Sequence, residues 1–199
     1  MSIFMRRATS GKEKGGVIIA AMKLEKRATL DDILLLPKDG RKYELVDGEI
    51  IVSPGGFRHS RVGTNIVLIF GMFLRQYPVG EVFGSDLGII FANGNLRSPD
   101  VTVVRKEKLP AGEAPQTFME IVPDLVVEVL SPGDSPRVVG EKIGEFLECG
   151  VPLVWVVDPT ERTVTVYRSL SHTEHYTADD TIAAEPILPG FSCQVARFF

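Results

Sequence analysis

Apolar and polar positions change along the chain with periods that predict a mixture of helices and strands. Two short apolar runs flank Asp47-Gly48, a dipeptide typical of a tight hairpin turn with positive φ. From Phe57 to Gln76 the apolar residues recur at helical spacing, and Pro78 ends this long helix. The N-terminal half therefore combines a β-hairpin with an amphipathic helix.

The C-terminal half is dominated by nearly continuous apolar runs. The run "DLVVEVL", residues 124–130, predicts a central strand, because a strand covered on both faces shows no alternation. A helix is expected over 135–149, with Gly150 at its end. The segments "PLVWVVD" and "TVTVYR" then predict a second hairpin. This order of elements indicates an α/β or α+β fold with a mixed central sheet flanked by helices.

Two of these apolar strands carry a carboxylate inside them. Asp100 lies in "RSPDVTVVRKEK", residues 97–108, and Glu128 lies in "PDLVVEVLSP", residues 123–132. A buried charge is unfavourable unless a partner compensates it. The sequence therefore raises the question of which groups neutralise these two side chains.

A lysine on the following helix is the candidate partner. At about 100° per residue, Lys142 falls between Val138 and Phe146, on the flank of the apolar face. Three acids fall on the opposite face, which we expect to meet water: Glu141, Glu145 and Glu148. A lysine on an apolar flank either extends outward or meets a carboxylate inside.

Two interpretations of this set remain open on the residues alone. Two carboxylates with a lysine suit metal-assisted phosphodiester hydrolysis, in which Asp100 and Glu128 hold a divalent cation and Lys142 stabilises developing charge. In the alternative, Asp100 caps a turn after Pro99 and Glu128 forms a structural ion pair with Lys142.

Composition and charge narrow the class of protein. The chain has 199 residues, which suits one domain, and its two cysteines lack the spacing of a zinc site or a disulfide framework. No apolar run is long enough to span a bilayer, and we expect a cytoplasmic protein.

Residues 1–27 hold seven basic and two acidic side chains, and we expect a disordered extension there, with Met22 as an alternative start. Residues 28–199, expected to form a single domain, carry 15 basic and 24 acidic side chains, which argues against nonspecific coating of nucleic acid.

Several segments in order resemble a known family. They are "YELVDGEIIVSPGG" followed by His59, "SPDV", "PDLVVEVLSP" and "GEKIGEFLECGVPLVWVVDPTERTVTVYR". Together they are similar to the Uma-type restriction endonuclease family of the PD-(D/E)XK nuclease superfamily, over about residues 28–195. The resemblance implies a restriction-endonuclease-like core and a metal-dependent, nuclease-like site.

The resemblance also assigns residues. The superfamily aspartate corresponds to Asp100 and the (D/E)XK acid to Glu128, but Leu130 stands where the motif has lysine. The helix lysine of the family matches Lys142. Glu44 matches a family acid that adds a metal ligand or orients water, and His59 matches a histidine that touches phosphate or acts as an acid.

The leading hypothesis is a Mg²⁺- or Mn²⁺-dependent endonuclease acting on DNA, with the backbone carbonyl of Val129 as a further metal ligand. The second hypothesis is a catalytically inactive nucleic-acid-binding or interaction module, and the third is a structural ion-pair network without metal. A homodimer is compatible with either of the first two, with three arginines of the long helix along one groove: Arg58, Arg61 and Arg75.

Four other candidates are assigned to the surface, the core or a turn: His172, His175, Trp155 and Asp158. Ser131 is expected to close its strand or to orient a ligand.

Overall fold

The computed structural model describes residues 27–37, 41–53, 56–112 and 115–199. The expectation of a basic, disordered extension concerns residues that lie almost entirely outside these ranges. Among the described residues, no helix combines the length and the apolar character that crossing a membrane requires. The helices are α1 (Leu30–Leu34), α2 (Phe57–Gln76) and α3 (Pro136–Glu148), with 3-10 turns at Lys106–Lys108 and Val195–Phe198.

Twelve strands form three sheets in the described part of the chain. The largest has the order β10-β9-β8-β7-β6-β3, and β7 and β8 are its parallel pair. A smaller sheet has the order β2-β1-β5-β4, and β11 pairs with β12. The strands are β1 (Lys42–Val46), β2 (Glu49–Ser53), β3 (Gly80–Gly84), β4 (Ile89–Ile90), β5 (Leu96–Arg97), β6 (Val101–Arg105), β7 (Leu125–Val129), β8 (Val154–Asp158), β9 (Thr163–Ser169), β10 (His172–Thr177), β11 (Thr181–Ala183) and β12 (Ser192–Gln194).

The predicted elements agree with this architecture. The predicted hairpin turn has positive φ at both Asp47 and Gly48, and a capping box formed by Thr29 and Asp32 opens α1. The predicted long helix matches α2 to the residue, and β7 is an inner strand of the large sheet. The short strand β4 lies within the apolar segment "LGIIFA", residues 87–92, which predicts a strand. The strand β5 was not predicted, because a two-residue strand carries no periodicity.

The large sheet is covered by a helix on each face. Alternate residues of β7 point to opposite faces, so Leu125, Val127 and Val129 belong to the cluster with α2. Val126 belongs to the other cluster, which contains Phe146 of α3. Glu128 has the same parity as Val126 and therefore faces α3. The mixed sheet flanked by helices, predicted from the sequence, is confirmed.

We expect Phe70→Ala in α2 to lower the free energy of unfolding by about 3–5 kcal/mol. The Phe70 ring is fully buried and lies 5.5 Å from the Trp155 ring and 4.7 Å from that of Phe191, centroid to centroid. Urea unfolding measures the change. Met72→Ala, on the exposed side of the same helix, is the matched control and should change stability by less than about 0.5 kcal/mol. Equal effects of the two substitutions would contradict this packing.

Candidate active site

The candidate site residues meet in a cavity of about 900 Å³ between the two sheets and the helices α2 and α3. Five predicted catalytic residues line it: Glu44, His59, Asp100, Glu128 and Lys142. They come from β1, α2, the residue immediately before β6, β7 and α3, so only the folded chain brings them together. The structure thus places the whole predicted set at one location.

Asp100 is neutralised by groups from three elements. Lys42 Nζ lies 3.1 Å from its Oδ1, and His59 Nε2 lies 2.9 Å from its Oδ2. The backbone N–H of Val129 also donates to Oδ2, at 2.9 Å. The β6–β7 pairing ends at Val101 and Val127, so the Val129 N–H lies beyond the ladder and is accepted by the Asp100 side chain. Asp100 therefore does not cap a local turn, and Lys142 is not its direct partner.

Glu128 is the partner of Lys142. Lys142 Nζ lies 2.9 Å from Glu128 Oε2 and 3.4 Å from Glu44 Oε1, and also sits 5.8 Å from the centre of the Phe146 ring. The Lys142 side chain is 17% exposed and that of Glu128 13% exposed. The position of this lysine on the apolar flank of α3 is confirmed. Its ammonium bridges a strand of the large sheet and a strand of the small one.

The two strand carboxylates have opposite electrostatic character. Burial works to raise the pKa of Asp100, but the hydrogen bond from His59 and the charge of Lys42 outweigh it and hold that pKa far below its usual range. Burial raises the pKa of Glu128 to about 7; Lys142 opposes this shift, while the charges of Asp100 and Glu44 add to it. Near neutral pH, Asp100 is thus ionised, while the carboxyl group of Glu128 changes between its protonated and ionised forms.

The pKa values of the two basic partners, His59 and Lys142, are both raised. The hydrogen bond to Asp100 raises the pKa of His59, against burial and the charge of Lys42. Burial works to lower the pKa of Lys142, but the charges of Glu128 and Glu44 outweigh it and raise that pKa. Lys142 therefore remains protonated in the cavity.

Glu44 is buried rather than exposed on its strand. It accepts from the backbone N–H of Ser98 at 2.9 Å, and Arg97 Nη1 lies 3.3 Å from its second oxygen. Burial works to raise the pKa of Glu44, but Lys142, Lys42, the Ser98 N–H and Arg97 together lower it. Because side chains alternate along a strand, Lys42 and Glu44 project from the same face of β1 into the cavity.

Glu145 corrects the expectation that the acids of α3 face water. Its Oε2 accepts from Arg97 Nε at 2.9 Å, and its Oε1 accepts from Asn93 and Asn95 at 3.0 and 2.7 Å. Arg97 therefore bridges Glu145 on α3 and Glu44 on β1. Helical periodicity alone assigned Glu145 to solvent. The small sheet packs against that side of α3 and supplies the polar partners, and helical periodicity carries no information about it.

The same helix differs from its expected pattern at one more position. Val138, placed on the apolar face, is half exposed at the mouth of the cavity. Glu141 and Glu148 are exposed, as predicted. Val139 already packs against the core cluster beside α3, so Val138 alone departs from the expected apolar face, where the helix borders the cavity.

Other candidates take structural positions. Trp155 is fully buried in the core, and Asp158 accepts from the backbone N–H groups of Thr160 and Glu161 as a turn residue. His172 and His175 are exposed on β10. Ser131 borders the cavity and donates its N–H to Asp134.

Sequence reasoning missed Lys42 and Arg97, which form ion pairs with Asp100 and Glu44. The two-residue spacing of Lys42 and Glu44 on β1 was an available signal for the first of them. Arg97 lies three residues before Asp100, but nothing local indicates that it turns back toward β1 and α3. Both residues mainly supply positive charge that holds carboxylates in place.

The cavity contains oxygen atoms of the kind that bind metal ions, but its side chains alone do not surround an ion. Among the described residues, no three His, Cys, Asp or Glu side chains are grouped closely enough to hold a metal ion by themselves. Glu128 Oε1 is buried and makes no hydrogen bond within those residues. An unpartnered carboxylate oxygen beside an ionised aspartate is suited to a hard cation such as Mg²⁺.

Comparisons with known proteins identify a family and a similar solved structure. A family model named Uma2 and described as "Putative restriction endonuclease" matches residues 30–196. A solved structure from Anabaena variabilis ATCC 29413, described as "a putative nuclease belonging to DUF820", superposes with a TM-score of 0.75 at 28% sequence identity. The match covers 86% of this chain and 97% of that one. A search of curated proteins finds no match.

We expect Glu128→Gln to change how stability depends on pH. An acid whose folded pKa of about 7 exceeds its usual 4.5 binds more protons when folded, so wild-type stability falls as pH rises between these values. The variant lacks this loss, which is on the order of 2–3 kcal/mol. Urea unfolding at pH 5 and pH 8 in a chelator measures the difference between the two proteins.

His59 has its pKa raised, so its stabilising contribution is present at low pH and is lost as pH rises through the folded pKa. This loss occurs in both proteins and largely cancels in the comparison. Glu141→Gln, at an exposed acid of α3, is the matched control and should leave the pH dependence unchanged. A difference between wild type and Glu128→Gln that is the same at both pH values would contradict the raised pKa.

Proposed function

This chain belongs to the Uma2 family, and we propose that it is a divalent-metal-dependent endonuclease that hydrolyses phosphodiester bonds in DNA. The observation that carries the proposal is the cluster itself. Asp100, Glu128 and Glu44 converge with Lys142 in one cavity, and a buried oxygen of Glu128 lacks a hydrogen-bonding partner among the described residues. A nuclease-like function follows from the family, and the metal and the DNA substrate are our inference.

The residues present fit Mg²⁺ or Mn²⁺. Asp100 and Glu128 would hold the cation, with the carbonyl of Val129 as a further oxygen ligand, and Glu44 would orient a water molecule. Both ions prefer carboxylate and carbonyl oxygen. A bound divalent cation supplies polarisation of a phosphoryl oxygen and lowers the pKa of a coordinated water.

Lys142 takes the part that the strand lysine has in the general motif. Leu130, at the motif position, is an apolar residue packed beside the α3 cluster, with the same strand parity as Glu128. The α3 ammonium enters that side of β7 and is held by Glu128 and Glu44. Its fixed positive charge stabilises the negative charge that develops on the phosphoryl oxygens.

His59 is the candidate proton donor. Hydrolysis forms one bond between a water oxygen and phosphorus and breaks the bond to the leaving oxygen. One proton must therefore leave the water and one must reach the leaving oxygen. His59 lines the cavity, and its raised pKa keeps it protonated to a higher pH than a solvent-exposed histidine.

A second candidate function, an inactive nucleic-acid-binding module of the same fold, is favoured by one observation. Lys42 and His59 already neutralise Asp100, and Lys142 already neutralises Glu128. Carboxylates whose charges are already paired have no electrostatic need for a cation. The two functions differ in whether cleavage requires both a metal and these side chains.

We expect Asp100→Asn, Glu128→Gln and Lys142→Met each to reduce Mg²⁺- or Mn²⁺-dependent nicking of supercoiled plasmid by about 10²-fold or more. Gel electrophoresis of time courses measures the rate. Glu141→Gln changes the exposed acid immediately before Lys142 and should nick at the wild-type rate. Binding of plasmid without nicking would favour the inactive module, and nicking that survives in all three variants would contradict the proposed site.

A further inference from the structure

The cavity that holds the charged cluster has an apolar mouth. Four large apolar side chains from three elements border it while remaining exposed: Ile51, Val52, Leu68 and Val138. Their exposed fractions lie between 38% and 58%. Exposed apolar side chains that converge on one cavity indicate a binding surface more strongly than the same residues scattered singly.

The charged groups lie beneath this apolar mouth. The side chains of Asp100 and Glu44 are each 5% exposed, and that of His59 is 20% exposed. A scissile phosphate must therefore descend past apolar side chains to reach the carboxylates. A ligand that fits has an anionic group at one end and an apolar, flat part beside it, as a nucleotide unit does.

A continuous duplex fits this surface poorly. Duplex binding depends on several cationic contacts to phosphates, and each phosphate lies on the outside of a wide, stiff rod. Three of the basic side chains that line the cavity, Lys42, Arg97 and Lys142, already pair with carboxylates. The excess of acidic over basic residues in 28–199 also disfavours broad contact with a polyanion.

An unpaired strand fits it well. When a nucleotide is unstacked, its phosphate and its base can enter a concave site together, and the base gains apolar contact in place of its neighbours. The volume of about 900 Å³ lies within the range of cavities that bind small molecules, and so suits one or two nucleotides.

We propose that the substrate of this site is an unpaired DNA strand, a single strand or the splayed arm of a junction, whose base packs against Leu68 and Val138 while its phosphate reaches the charged floor. The inference rests on the proposed nuclease function and narrows its substrate class. Leu68 on α2 and Val138 on α3 face the cavity from different elements, so they can contact a base on two sides.

The test compares three fluorescently labelled oligonucleotides of one sequence: single-stranded, fully paired, and paired with splayed arms. The full chain cleaves them in Mn²⁺, and anisotropy in a chelator measures binding without cleavage. We expect kcat/KM at least about tenfold higher for the single strand and for the unpaired arms than for the continuous duplex. The order of binding affinities should be the same.

The outcomes separate the two proposals. Cleavage of the duplex at an equal or higher rate would overturn the substrate inference and leave the nuclease proposal intact. If no substrate is cleaved, the anisotropy decides: preference for the unpaired strand supports the inferred binding surface while the nuclease proposal fails, and equal or absent binding overturns both.

Two variants test the apolar contact directly. Leu68→Ser and Val138→Ser should each weaken binding of the single strand by about fivefold, with little change in its salt dependence, because the contact is apolar rather than ionic. Met72→Ser removes an exposed apolar side chain from the same helix outside the cavity and should leave the affinity unchanged. Equal effects of Leu68→Ser and Met72→Ser would contradict the assignment.

Discussion

The ion pair between Glu128 and Lys142 is the interaction on which the rest of the site depends. Glu128 occupies an inner strand of the large sheet, where an isolated carboxylate would be strongly unfavourable. Lys142 can reach it because α3 packs on the face of β7 to which Glu128 points. The same ammonium contacts Glu44, so one lysine links the large sheet to the small one.

Compensation of buried charge extends outward from this pair. Arg97 donates hydrogen bonds to the carboxylates of both Glu44 and Glu145. Asn93 and Asn95 donate to the remaining oxygen of Glu145. On the other side, Lys42 and His59 hold Asp100. Removing one partner from such a network leaves a buried charge unpaired, so its members constrain each other's positions. The result is a preorganised floor beneath an apolar mouth.

The sequence predicts the elements of this fold better than the contacts within the site. Long apolar runs and helical periodicity locate α2, α3 and β7, because one sheet and its two covering helices determine which residues are buried. Asp100, Glu128 and Lys142 stand out since each contradicts its local pattern. Glu145 and Arg97 do not, because their environment is set by a small sheet whose strand β5, which contains Arg97, is too short to leave a periodic signal. Lys42 escapes notice for a related reason: a basic residue at the start of an edge hairpin is ordinarily exposed.

The internal pairing of the cluster opposes the binding of a cation. The same lysines and histidine that stabilise the carboxylates compete with any cation for them, while the unpartnered oxygen of Glu128 offers a position that no described side chain takes. Calorimetric titration of Mn²⁺ into the full chain, beside the Asp100→Asn/Glu128→Gln double variant, measures that competition most directly. We expect saturable binding of Mn²⁺ to the wild type and none to the double variant. Absence of binding to the folded wild type would contradict it and leave a structural ion-pair network in its place.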